Sequence, residues 1–158
     1  MSIAGTASVT VRVVTKNSTY TFSGNEQEGS IGSDWASNQN SHNSSLNINF
    51  LPGTDMACFN TGTQVGTECH IDLQIPRQQD PVKKWVIDDL DFMLTKLKKP
   101  SLDNDPILEV VTCNKKGDGP EECVTVLDPS DAAGILDQLL KLAIRVRDHG
   151  NRPFYHDW

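Results

Sequence analysis

The sequence predicts an α+β fold, a two-layer sandwich in which a mostly antiparallel sheet carries two amphipathic helices on one face. Three observations lead there. Residues 80–99 and 129–149 place apolar side chains at helical spacing, one stripe each. Several short stretches alternate apolar and polar residues at the period of two that a half-buried strand requires. The strands precede the first helix or lie between the two helices, and hairpin-length connections favour antiparallel pairing over βαβ crossovers.

Taken in order, residues 8–15 set Val9, Val11 and Val13 against Thr10 and Arg12, a strand with one apolar face. Lys16, Asn17 and Ser18 read as a turn into a partner strand that carries Tyr20 and Phe22 on one face. Residues 23–45 are rich in Ser, Asn and Gly with few aliphatics, and the expectation is a long polar loop, or a disordered insertion, that Trp35 anchors to the body. Within it, Gly29, Ser30, Ile31 and Gly32 have a turn composition that also suits a small anion-binding nest. Alternation resumes with Leu46, Ile48 and Phe50, and again with Ile71, Leu73 and Ile75.

The first helix is the clearest element. Asp80 suits the N-cap and Pro81 the first helical position, where its missing N–H would have no partner. Val82, Trp85, Val86, Leu90, Met93, Leu94 and Leu97 form the stripe, Lys96, Lys98 and Lys99 meet the negative end of the helix dipole, and Pro100 ends the run. A second hairpin follows, with strands at residues 107–112 and 122–127 around a Gly117-Asp118-Gly119-Pro120 loop. Asp128-Pro129 starts the second helix, whose stripe is Ala132, Ile135, Leu136, Leu139, Leu142, Ala143 and Val146, with Gly150 placed to cap its end. The tail, with Phe154, Tyr155 and Trp158, is too aromatic for a solvated end.

At 158 residues the chain fits a single domain, 1–158, large enough for a real core. A hydrophobic share of 37% with 22% charged residues excludes wholesale disorder. The net charge of −7 disfavours bulk attraction to nucleic acid or an anionic membrane, so nucleic acid is not an expected partner. No apolar run approaches the ~20 residues that span a bilayer. The N-terminus lacks a signal-peptide apolar region, which leaves two readings: a secreted protein met without its leader, or a cytoplasmic one.

Cysteine spacing favours secretion. Cys58 with Cys69, and Cys113 with Cys123, form two short-range pairs, each spanning glycines that can reverse the chain. Local disulfides are the preferred reading; the alternatives are buried thiols or a four-cysteine zinc site, which lacks the close spacing such sites use. The sequons at Asn17 and Asn43 point the same way. No cofactor is expected and no metal site is assigned.

Motifs for chemistry are sparse. There is no Walker loop, GxGxxG, HExxH, GxSxG or CxxC. Asp88, Asp89 and Asp91 make a carboxylate cluster on the first helix, where solvation is the ordinary role. His42 and His70 have no evident partner in the sequence. At the C-terminus Arg145, Arg147, His149, Arg152 and His156 gather cationic and titratable groups, an arrangement open to acid–base work on a phosphodiester but also favoured by helix-end electrostatics. Trp35, Tyr155 and Trp158 are the candidate binding aromatics, because indole and phenol rings give stacking faces to a glycan or protein partner.

With its size, its sequons and a Cys113–Cys123 hairpin before a helix, the chain resembles the small secreted, cysteine-bridged proteins of fungi, such as effectors and killer toxins. That resemblance implies an α/β sandwich and transfers no functional residue. Two functions follow as expectations. The first is a secreted, disulfide-bridged interaction protein, effector- or toxin-like and non-enzymatic, that binds a protein or glycan partner. The second is a small ribonuclease-like hydrolase using His149, His156, Arg147 and Arg152.

Overall fold

In the computed structural model the chain is described for residues 7–25, 30–47, 49–50, 70–74, 84–99, 104–116, 119–149 and 153–157. Six strands form one antiparallel sheet: β1 (Ala7–Thr15), β2 (Ser18–Asn25), β3 (Ser30–Ser37), β4 (Ser41–Asn47), β7 (Ile107–Lys116) and β8 (Glu122–Thr125), in the order β4-β3-β2-β1-β7-β8. The helices are α1 (Lys84–Lys98) and α2 (Ala133–His149). A smaller three-stranded sheet joins β5 (Asn49–Phe50), β6 (His70–Gln74) and β9 (Pro153–Asp157). The class is α+β, as the sequence predicts.

Register explains the core. Val9, Gly24, Ile31 and Leu46 stand opposite one another across β1 to β4, and Val11, Phe22, Ser33 and Ser44 make the next rung on the same face. A third rung runs Val13, Tyr20, Trp35, His42. Val9, Val11, Val13, Phe22, Ile31, Leu46 and, from β7, Val110 are buried together with Val86, Leu90, Met93, Leu94 and Leu97 of α1 and Ile135, Leu136, Leu139 and Leu142 of α2. The buried sheet residues therefore share one face with the stripes of both helices, each full burial stabilising by roughly 1.5–3 kcal/mol. The opposite face of β1 to β4 presents Thr10, Arg12, Thr21, Ser23, Asp34, Asn43 and Ser45.

The expected loop at 23–45 is corrected. Residues 30–37 and 41–47 are the paired strands β3 and β4, and Asp34 lies opposite Asn43 in the register. The alternation is present in Ile31, Ser33, Trp35 and in His42, Ser44, Leu46, but hydroxyls and an imidazole fill inward positions that aliphatics occupy in the central strands. Ser37 closes the connection: its N–H donates to the Asn40 carbonyl at 2.8 Å, and its hydroxyl accepts from the Asn40 N–H at 3.1 Å. The turn expected around Ser30, Ile31 and Gly32 gives way to extended β3, and with it the alternative of a nest, because successive N–H groups point to alternate edges of the strand.

The remaining elements follow local rules. Asp128 accepts from the Ser130 N–H at 3.0 Å and Pro129 opens a 3-10 turn, Pro129–Ala132, that leads into α2. The β1–β2 turn is tied to the segment before β7: Asp105 accepts from the Thr15 hydroxyl at 2.9 Å and the Asn17 N–H at 2.8 Å, and buried Lys96 donates to the Asp105 carbonyl at 2.6 Å. Cys113 and Cys123 face each other in the β7–β8 register and are disulfide-bonded. The expected Cys58–Cys69 bridge lies outside the described residues, as do the Asp80 cap and the Gly150 cap.

Candidate binding site beside His42

At the edge of the sheet the third rung runs past the apolar core and becomes a site. Tyr20, Trp35 and His42 extend Val13 outward on the helix-facing side of β2, β3 and β4. Helix α1 lies over β3 and β4 and brings Trp85, Asp88, Asp89 and Phe92 to the same place. These residues are three and four apart, a second helical row along the border of the buried stripe. Trp85, expected within that stripe, is instead 39% exposed, because it covers the edge strand and not the middle of the sheet.

The polar centre is Asp89. One of its oxygens, Oδ2, lies 2.7 Å from His42 Nε2 and accepts from the Ser33 hydroxyl at 2.8 Å. The carboxylate only accepts, so Nε2 carries the proton and Nδ1 is the ring nitrogen left for another group. The imidazole lies between two indoles, 5.4 Å from the Trp35 ring and 4.7 Å from the Trp85 ring. Both members of the pair are mostly shielded from water, with side chains 25% (His42) and 16% (Asp89) exposed. Ser33 is buried outright, and the neighbouring Ser44 hydroxyl is buried without a hydrogen-bond partner among the described residues.

Next to this centre is an open cavity of about 340 Å³ lined by Tyr20, Trp35, His42, Asp88, Asp89 and Phe92. Its lining is mainly apolar. Tyr20 stacks in parallel on Phe22 and meets Phe92 at a ring distance of 5.8 Å, so the floor is tied directly to the core. Phe92 is 47% exposed, a large apolar group left at the rim. That volume sits at the low end of the small-ligand range and suits one side chain or one sugar unit.

The arrangement has a defined chemical scope. Ser33, His42 and Asp89 are the residue types of a hydrolytic triad, but their order differs. A triad needs the imidazole between the hydroxyl and the carboxylate, whereas here the carboxylate stands between the other two. The Ser33 hydroxyl donates to Asp89 and not to His42, so the hydroxyl–imidazole step of that relay is absent from this arrangement. What the geometry provides is a rigid aromatic surface with fixed acceptors at its edge.

Of the residues singled out from sequence, Trp35 lies in this site, and Asp88 and Asp89 join it. Asp91 is exposed, and among the described residues only its backbone is engaged, by the Thr95 hydroxyl at 3.1 Å. Of the three acids, the one whose side chain has a partner among the described residues is Asp89, four residues after Trp85. Sequence reasoning assigns His42, Ser33 and Trp85 no functional role; the signal for Ser33 and His42 is the alternation Ile31, Ser33, Trp35 and His42, Ser44, Leu46 within the expected loop, and Trp85 reads as one more member of the helix stripe. Tyr155 and His156 lie on β9, opposite Asp72 and Ile71 of β6, and Arg147 and His149 lie in α2. Their side-chain arrangement, with Arg152 and Trp158, lies outside the described residues.

Among the described residues, one group has the residue types of a metal site: Cys113, Glu121 and Cys123. The two sulfurs are bonded to each other, which leaves a single exposed carboxylate as a ligand. No described helix is long and apolar enough to cross a membrane. Compared with protein-family models, curated proteins and solved structures, the chain finds no match.

Proposed function

We propose that this chain is a secreted, disulfide-bridged interaction protein, effector- or toxin-like and non-enzymatic, that binds a protein or glycan partner on the aromatic surface around Trp35 and His42. The observation that carries the reading is the clustering of Trp35, Trp85, Tyr20 and Phe92 around one carboxylate–imidazole pair beside a 340 Å³ cavity. Aromatic residues are the side chains that supply most binding energy at recognition sites, because they combine large area with few rotatable bonds. The Cys113–Cys123 bridge supports an oxidising compartment, since reducing cell interiors do not sustain structural disulfides. Asn17 in the β1–β2 turn and Asn43 on β4 are both exposed, which supports their use as glycan acceptors.

A binding experiment tests the site. Peptide and glycan arrays are probed with the wild-type protein and with Trp35→Ala and His42→Ala. The reading expects a partner whose signal falls at least tenfold in both variants while their circular dichroism is unchanged. A partner held equally by all three proteins would place recognition elsewhere on the molecule. Glycosylation is tested by expression in a glycosylating eukaryotic host: the reading expects a mass decrease on endoglycosidase treatment that Asn17→Gln and Asn43→Gln together abolish.

The hydrolase reading rests on His149, His156, Arg147 and Arg152. Among the described residues the histidine with a defined acidic partner is His42, which that reading does not use, and the side chains it needs lie outside the described residues.

A further inference from the structure

We infer that the cavity beside His42 is a receptor for one cationic side chain, the guanidinium or ammonium of a basic segment in a partner protein. The inference deepens the binding reading above and rests on it. Three features of the cavity select this chemistry over a neutral sugar.

The first is the balance of its walls. The lining is dominated by the rings of Tyr20, Trp35 and Phe92, with little polar surface. A sugar presents several hydroxyls that each need a directed partner, and burying them against apolar walls leaves most unsatisfied. A cation needs only ring faces and one or two acceptors, because the ring quadrupole itself attracts positive charge.

The second is the sign of the polar groups. Asp88 and Asp89 are the charged residues at the cavity. Asp89 is held by Ser33 and His42. Asp88 is exposed and has no ion-pair or hydrogen-bond partner among the described residues, so its carboxylate is available to an arriving cation. The whole chain, at −7, adds a field of the same sign that draws basic partners and repels acidic ones.

The third is a precedent within the site itself. His42, a ring that can carry positive charge, is already held between two indoles and bonded to a carboxylate. The incoming group would repeat that pattern one position outward, with Trp35 and Phe92 as walls and Asp88 as counter-ion. The volume of about 340 Å³ accommodates a lysine or arginine head with part of its stem.

The test titrates the full-length, disulfide-intact protein with N-acetyl-arginine amide, N-acetyl-lysine amide, the neutral isostere N-acetyl-citrulline amide, and chitotriose, and follows tryptophan fluorescence and calorimetric heat. The inference expects both cationic probes to bind, citrulline to bind at least fivefold more weakly, and affinity to fall as salt rises. Asp88→Asn, an isosteric change at an exposed position, is expected to weaken the cationic probes about fivefold to thirtyfold, and Phe92→Ala by a similar factor. Equal affinity for arginine and citrulline amides, or an unchanged affinity in Asp88→Asn, would overturn it. Saturable binding of chitotriose lost in Trp35→Ala, with no response to the cations, would overturn the cationic inference and leave the binding reading standing. No response to any probe, joined to arrays on which wild type and Trp35→Ala bind alike, would remove both.

Discussion

Asp89 shows how much one side chain can organise. Its Oδ2 satisfies a buried hydroxyl and fixes an imidazole between two indoles, joining β3, β4 and α1 at a single atom. Replacing it by alanine would leave the Ser33 hydroxyl, 3% exposed, without an acceptor and release the His42 ring. The expected cost is about 1–3 kcal/mol, read as a lower urea midpoint. Ser33→Ala removes the hydroxyl together with its need for an acceptor, so it is expected to cost about 1 kcal/mol or less. In a double-mutant cycle the pair should be less than additive by at least ~0.5 kcal/mol; strict additivity would mean that the two groups do not interact. At this scale the sequence was only partly legible. Trp35 stood out because a lone indole in a polar stretch demands an anchor. His42 did not, because its partner is 47 residues away.

The elements were legible wherever burial left a continuous pattern. The stripes of both helices and the valines of β1 are periodic because each faces the middle of the core. β3 and β4 were not legible, because Ile31 and Leu46 reach the apolar core while Ser33 and His42, at inward positions beside them, meet the polar flank of α1 near the sheet edge. There Ser33, Ser44 and His42 serve a polar network, and the period of two is written in residues that also spell a loop. β8 shows another way of holding an edge. All four of its residues are exposed, so little apolar burial secures it, and the Cys113–Cys123 bond ties it to β7. The double substitution Cys113→Ser with Cys123→Ser is expected to lower stability by about 2–3 kcal/mol on the loop-entropy argument. An unchanged urea midpoint would show that the bridge closes a loop already ordered without it. Asp128→Ala should cost about 1 kcal/mol, through the lost contact of its carboxylate with the Ser130 N–H at the entry to α2.

For the whole molecule, one sheet face and both helices share a core, and the working surface is where that core reaches the edge. Tyr20 belongs to both: it stacks on buried Phe22 and meets Phe92 at the cavity. Phe22→Ala is therefore expected to cost about 3–5 kcal/mol in stability and to loosen the floor of the cavity as well. The proposed extracellular life has its own check. Thiol titration of the denatured, unreduced protein should find Cys113 and Cys123 unreactive, and reactive thiols at both positions would argue for a reducing compartment. The site exists only if His42 stands on a formed β4, between two indoles and under α1. Proton NMR reads this directly through nuclear Overhauser contacts of the His42 ring. Contacts from that ring to the indoles of both Trp35 and Trp85 are the expected result. Random-coil shifts across residues 30–47, with no contact to either indole, would contradict it.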